Sequence, residues 1–443
     1  MILAKARHRG SPVGPAHPLG PACRLLTASL ILGWTGVAAW AHAPSAEPAT
    51  APTTLKQVFE AAWLRQPEAR SRQARQDAAG AQREVANSWT SEPVSLELST
   101  KTDHLHKNQG GREDAVGLSF PLWLPGERNR SAAVAQAEER VNASRVLAAQ
   151  LRTAATVREA YWQWQRAAAE HALAQERLAS TQQLAADVAK RVKAGDLARA
   201  DQHQADGAVA AADAALAEAL SARSATGQAL RALSGEPPVP QGAANFDVVV
   251  LGERQVRVIP DAEALASRHP ALLDWRARLE LARRASELAR VQTRANPELT
   301  LEAARGRGQA DERYQQSFTA TLRIPFGSDS RNRVKVTSAQ AELIEAESQL
   351  RLEQDRVQAD LDSAHVRLDS AEEQLLAADR RVQLARESRS FFRKSYRLGE
   401  TDLPTRLRIE LEAVEAERQA KRAHIEVGAA LSNLRQAQGL LPD

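Results

Sequence analysis

Apolar positions along the chain follow two different periods. Four short stretches alternate strictly. In VSLELS, Val94, Leu96 and Leu98 point one way and Ser95, Glu97 and Ser99 the other. In AVGLSFPL, Val116, Leu118, Phe120 and Leu122 share a face opposite Gly117 and Ser119. ELTLEA sets Leu299, Leu301 and Ala303 against Glu298, Thr300 and Glu302. SFTATLRIPF sets Phe318, Ala320, Leu322, Ile324 and Phe326 against Ser317, Thr319, Thr321 and Arg323. Period-two alternation predicts strands, here at about 94–104, 114–124, 298–306 and 315–326.

The long stretches between them have the helical period. No proline falls between Pro125 and Pro237, nor between Pro325 and Pro404, and the apolar residues are sparse and mostly alanine, as in AQAEERVNASRVLAAQLRTAATVREAYW. Glu127 to Ala194 is 68 residues, about 100 Å of helix at 1.5 Å per residue. Such a helix buries only a narrow stripe, side by side with neighbours as in a coiled coil. Breaks at Gly195 and Gly399 predict two helical hairpins, at about 127–234 and 328–438.

The two sets of elements are copies. AQAE occurs at Ala135–Glu138 and at Ala339–Glu342, each time after an RNR. Gln66–Pro67 answers to His269–Pro270, Glu92–Pro93 to Asn296–Pro297, Phe120–Pro121 to Ile324–Pro325, Ala194–Gly195 to Leu398–Gly399 and Ser234–Gly235 to Gln438–Gly439, always at an offset of 203 or 204. That period is too long for a solenoid and marks a tandem duplication. The first unit spans 55–235 and the second 260–439, joined by a linker at 236–259.

The N-terminus reads as a secretory signal peptide at 1–41, followed by a linker at 42–54. Lys5, Arg7, Arg9 and Arg24 precede a short apolar run from Leu25 to Ala41, and AWA and AHA offer cleavage after Ala41 or Ala43. The one cysteine, Cys23, lies before that run, where a lipid-bearing cysteine would follow it. The mature chain is then expected to carry no lipid on cysteine, no disulfide and no thiolate metal site. Removing the leader takes four basic residues and no acid from 59 basic and 55 acidic. The remainder is neutral, so the basic excess does not point to nucleic acid.

Two arrangements answer to the strands: hairpins packed on a soluble core, or a membrane barrel that is apolar outside and polar inside. The signal peptide and the lack of other hydrophobic mass favour the barrel. Trp123 and Phe326, at strand ends, suit either an interfacial aromatic girdle or simple packing. Four strands cannot close a barrel, and open sheet edges are not tolerated in lipid. Several chains must therefore pool their strands.

The signal peptide, the duplicated unit, the strand pairs ending in FPLWLPGERNRSAAVAQAEE and LRIPFGSDSRNRVKVTSAQAEL, and the long helices broken at RVKAGDLARAD and SYRLGETDLPT together resemble TolC-type outer-membrane efflux proteins. The resemblance covers about 55–439. It implies a mainly α fold with a β-barrel part: long antiparallel hairpins forming an α-barrel through the periplasm, plus four strands per chain given to a trimeric outer-membrane β-barrel. It implies a homotrimer, a periplasmic adaptor (membrane fusion protein) at the helical tips, and an inner-membrane pump. VREAYWQWQRA and DVAKRVKAGDLARADQ are most similar to the CzcC-like branch, which serves resistance-nodulation-division pumps for heavy-metal cations. Drug, solvent and secretion channels share the architecture.

By resemblance, KAGDL and RLGET are the periplasmic tips, and Lys193, Gly195, Asp196, Leu197, Arg397, Gly399 and Glu400 are the expected docking residues for the adaptor. Gly195 and Gly399 can take the positive φ that a reversal between helices needs. Asp196, Asp201, Glu400 and Asp402 are the candidates for an acidic pore constriction, since a carboxylate ring at a narrow mouth favours cations. The bland alternative for each is an acid stabilised at a helix N-terminus. The second unit departs from the pattern, carrying Thr405 and Arg408 where some relatives are acidic.

His104 and His106, in the loop between the first two strands, form an H-x-H that binds a divalent metal weakly at best; a solvated loop is the simpler reading. Tyr161, Trp162 and Trp164 are expected to pack between helices. There is no Gly-rich phosphate loop, H-E-x-x-H, G-x-S-x-G or cysteine nucleophile, so neither catalysis nor a cofactor is expected. The competing non-channel reading is a periplasmic coiled-coil adaptor or structural protein. Adaptors typically carry one hairpin beside a separate β domain, whereas here the hairpin occurs twice with strands inside each unit.

Overall fold

Proline sets where the helices begin. In the computed structural model, Gln66 and His269 are extended, and Pro67 and Pro270 take the first helical position after them, where a missing N–H costs nothing. The structure describes residues 54–105, 108–238, 265, 267–327 and 329–443. The expected signal peptide, most of both linkers and His106 lie outside the described residues. All that follows concerns one unit, Thr50–Asp443.

In chain order this unit contains α1 (Leu55–Arg65), α2 (Pro67–Ala86), β1 (Ser95–Thr102), β2 (Arg112–Pro121), α3 (Glu127–Ala194) and α4 (Arg199–Ser234). It continues with α5 (Pro270–Val291), β3 (Glu298–Arg307), β4 (Gln315–Arg323), α6 (Asp329–Arg397) and α7 (Leu403–Ala437). α1 is closed at its start by a capping box: Gln57 N–H donates to Thr54 Oγ1 (3.3 Å) and Thr54 N–H to Gln57 Oε1 (2.9 Å). α3 and α6 run for 68 and 69 residues, α4 and α7 for 36 and 35.

The strands form one antiparallel sheet in the order β1-β2-β3-β4. β2 stops at Pro121 and β4 at Arg323, short of the 124 and 326 that alternation alone predicts. A proline cannot continue a ladder, and the residue before one is restricted. Beyond Pro121 one backbone bond remains, from Leu122 N–H to Pro297 O at 2.7 Å, before the chain turns into the helix: Leu124 N–H donates to the Glu127 carboxylate at 3.0 Å, and Gly126 is left-handed at φ 78°.

Four apolar clusters hold the described helices together, the smallest joining Val382 of α6 to Ala416 and Ala420 of α7. In the first, Leu55, Val58 and Phe59 of α1 cover Val157, Tyr161, Trp162 and Trp164 of α3, with Leu230 of α4 and Ile425 of α7. The three aromatics are thus packed between helices, and Gln165 Nε2 donates to Tyr161 Oη at 2.9 Å. Gly428 makes this possible from α7: a Cβ there would stand 2.6 Å from the Trp162 ring. Glycine inside a helix costs about 1 kcal/mol against alanine, accepted here for the close approach. The second cluster joins Leu272 of α5 to Val357, Leu361 and Leu368 of α6 and Leu431 and Leu434 of α7. The third lies at the far end of the hairpins.

Candidate functional site, a two-faced sheet and paired helical tips

The register turns the alternation into two continuous faces. On one, Leu96, Leu118, Leu301 and Ala320 form a row across the four strands, and Leu98, Val116, Ala303 and Phe318 form the next. Phe120, Leu299 and Leu322 continue it toward the helices. Apart from the half-buried Phe120 and Leu299, the large side chains of this face are exposed, Phe318 to 86%. The opposite face is small and polar along β2: Ala115, Gly117 and Ser119 are buried beneath their neighbours' side chains. Ser119 Oγ donates to the Glu298 carboxylate, and Thr300 Oγ1 donates to Ser119 Oγ at 3.3 Å. Glu97 and Glu302 flank Gly117 on this side. A soluble sheet buries its apolar face; this sheet leaves its apolar face exposed and buries the small and polar side of β2. Its outer edges, on β1 and β4, pair with no strand among the described residues. No described helix is long and apolar enough to cross a membrane.

Aromatics mark both ends of the apolar band. Phe326 is 81% exposed at the helix end, and the exposed Trp89 stands 5.8 Å from Phe120. Tyr314 lies at the loop end. Trp123 is packed instead, donating through Nε1 to Ser88 O at 3.1 Å. Trp89 went unremarked in the sequence because it precedes the alternating run.

At the far end both hairpins turn the same way. Gly195 and Gly399 are left-handed, at φ 86° and 79°. Asp196 N–H reaches Arg191 O (2.9 Å) and Gly195 N–H reaches Val192 O (3.1 Å); Glu400 and Gly399 repeat this on Ser395 O (3.0 Å) and Tyr396 O (3.2 Å). Both are the Schellman closure that satisfies the last carbonyls of a helix. The tips are packed together: Tyr396 of α6 is buried with Leu184 and Val188 of α3, Ala205 of α4 and Leu403 of α7, and Leu197 packs against them. Arg191 and Arg406 lie over the Tyr396 ring at 4.9 and 4.6 Å. Burial pulls the Arg406 guanidinium below its usual pKa.

The acidic candidates divide into two kinds. Asp201 accepts the Ala198 N–H at 3.1 Å, and Asp402 caps α7 by accepting the Thr405 N–H at 3.2 Å. Thr405 holds the Asp402 carboxyl below the usual range. Asp196 and Glu400 are exposed beside their glycines, as are Lys193 and Arg397. At the other end His104 is exposed, and among the described residues no group of three or more His, Cys, Asp or Glu is arranged to hold a metal.

A four-stranded sheet with an exposed apolar face, carried on two paired helical hairpins of this length, makes a mainly α fold with one small antiparallel sheet. Residues 58–236 match the outer membrane efflux protein family model. Among solved structures the chain is similar to CusC (TM-score 0.71, 18% identity, covering 87% of this chain and 92% of that one). It is also similar to the outer membrane protein VceC from Vibrio cholerae (0.68, 18%, 88% and 97%) and the MtrE outer membrane channel of Neisseria gonorrhoeae (0.69, 17%, 87% and 89%). No curated relative matches the chain. The family match is thus carried by residues 58–236, and the fold of the described chain is that of the TolC-like α-barrel and β-barrel channels. The family is one of passive channels rather than enzymes.

Proposed function

We propose that three copies of this chain close one barrel and serve as the exit duct of a tripartite efflux system. Lys193, Gly195, Asp196, Leu197, Arg397, Gly399 and Glu400 would meet a periplasmic adaptor, and a resistance-nodulation-division pump in the inner membrane would supply the energy. One observation carries this reading: the sheet turns its apolar face outward and leaves both edges unpaired. Lipid satisfies that face, and only further copies of the same sheet satisfy those edges without exposing backbone to hydrocarbon. The test is fractionation. Recovery from outer membranes as an SDS-resistant or crosslinkable trimer is expected; a soluble periplasmic monomer rules the duct out and returns the chain to an adaptor or structural role.

For the cargo we propose heavy-metal cations. The polar face of the sheet carries Glu97, Glu113, Glu298 and Glu302 against Lys101 and Arg323. An acidic lumen favours cations over anions. The similarity of the tip sequences to the CzcC-like branch points the same way. A deletion strain should lose tolerance to divalent metals; loss of drug or solvent tolerance alone assigns the duct to those pumps instead.

A further inference from the structure

The apolar face ends abruptly toward the loops, and what replaces it is cationic. Two residues along the strands from the row of Leu98, Val116, Ala303 and Phe318 comes the row of Thr100, Asp114, Arg305 and Gln316, and next to it Arg112 pairs with Arg307. These side chains share the outward face with the leucines, because the side-chain period of a strand is two. Each step of two residues is about 6.6 Å, so the guanidinium groups stand within reach of the edge of the apolar band.

They are also held in place. The Tyr314 ring lies between Arg305 (4.7 Å) and Arg307 (5.0 Å). Arg307 donates through Nε to Gly110 O and through Nη1 to Ala310 O, both at 3.2 Å. Arg112 pairs with Asp114 at 3.0 Å. Arg305 has no carboxylate at ion-pair distance among the described residues and is exposed. Two of the loop acids are engaged elsewhere: Asp103 accepts the Gln109 N–H (2.8 Å) and Glu312 the Gly308 N–H (2.9 Å). Three guanidiniums therefore meet one carboxylate on the outward face, arranged around an aromatic ring at the level where hydrocarbon gives way to headgroups.

We propose that Arg112, Arg305, Arg307 and Tyr314 form a collar that binds the phosphate of an anionic lipid headgroup in the leaflet around the loop end of the barrel. The helices leave the sheet from its opposite end, so this leaflet faces away from the periplasm. The inference rests on the sheet spanning the membrane, and it adds a ligand class and a site that the channel reading does not require. A planar guanidinium fork grips phosphate oxygens in pairs, and the half-polar tyrosine suits the interface.

The test uses the full-length assembled protein in phosphatidylcholine vesicles, with and without phosphatidylglycerol or lipid A, and compares Arg305→Gln/Arg307→Gln with the unaltered chain. Each cation near a membrane surface contributes enough that removing two should lower retention of the phosphate-bearing lipid by roughly tenfold or more. Phosphatidylcholine retention should not change. Inorganic phosphate at millimolar concentration should not displace the lipid; displacement overturns the lipid assignment in favour of a free-phosphate site. Equal retention by the variant overturns the collar. Should the glutamine variant fail to assemble, Arg305→Lys/Arg307→Lys decides. It keeps the charge but loses the fork and the stack, so it should retain several-fold less lipid than the unaltered chain, and retention equal to it overturns the proposal. A chain that never enters vesicles refutes the membrane sheet itself, and the collar with it.

Discussion

Arg191 and Tyr396, one from each repeat, lock the two helical tips together: the Arg191 guanidinium lies 4.9 Å from the centre of the Tyr396 ring and donates to the Tyr396 carbonyl at 3.4 Å. The ring is buried, with Arg406 on it as well, yet its hydroxyl has no hydrogen-bond partner among the described residues. The contact therefore belongs to the ring and not to the oxygen. Tyr396→Phe should be neutral within about 0.5 kcal/mol, because no hydrogen bond is lost. Tyr396→Ala should loosen the tips by about 3 kcal/mol through the lost ring volume. Amide hydrogen exchange around Val192–Leu197 and Tyr396–Leu403 reads both; a large effect of the phenylalanine variant contradicts the packing described.

The two faces of the sheet make opposite demands on the same substitution. Leu118 lies outward between Leu96 and Leu301, and Thr319 lies on the other face opposite Glu302. An arginine facing lipid near the midplane costs roughly 2–4 kcal/mol, and a trimer would bear that cost three times. Leu118→Arg should sharply reduce the yield of assembled protein in outer membranes, while Thr319→Arg should assemble and shift ion selectivity. Equal loss for both variants would contradict the assignment of faces.

His269 gives the helical part an acid sensitivity. It precedes α5 and is 4% exposed, and burial holds its pKa down at about 4 while Asp360 pulls weakly the other way. A histidine depressed in the folded state binds fewer protons there than when unfolded. Its contribution is fully present above the unfolded value of about 6.5 and is lost as pH falls from there toward 4. The loss should total about 3 kcal/mol by the lower end of that window. His269→Gln should flatten this part of the pH–stability curve measured by chemical unfolding; an unchanged slope assigns the acid sensitivity to other groups.

Of the acidic candidates at the first tip, Asp196 is free of local hydrogen bonding by its side chain, whereas Asp201 is engaged with the Ala198 N–H. If a closed gate depends on their charge, the double variant Asp196→Asn/Asp201→Asn should leak more in planar-bilayer conductance. The asparagine amide oxygen can still accept the Ala198 N–H, so folding should change by less than about 1 kcal/mol through the lost charge near the helix start. Conductance equal to that of the unaltered chain removes both carboxylates from gating.

Much of this protein is written in local patterns. The four alternating strands, the proline-free helices and the glycine breaks each follow from short-range rules: a side-chain period of two or 3.6, a proline without an N–H, a glycine that tolerates positive φ. Even the proposal of partner copies starts from counting strands. Tertiary structure alone decided what depends on register and on packing between distant segments. It set the strand ends at Pro121 and Arg323, sent Phe326 and Trp89 outward while Trp123 packed, and laid Tyr396 between Arg191 and Arg406. It brought Arg112 of the first repeat beside Arg305 and Arg307 of the second. No local period encodes those neighbours, because each contact joins residues far apart in sequence whose relative height is fixed only when the ladder between β2 and β3 closes.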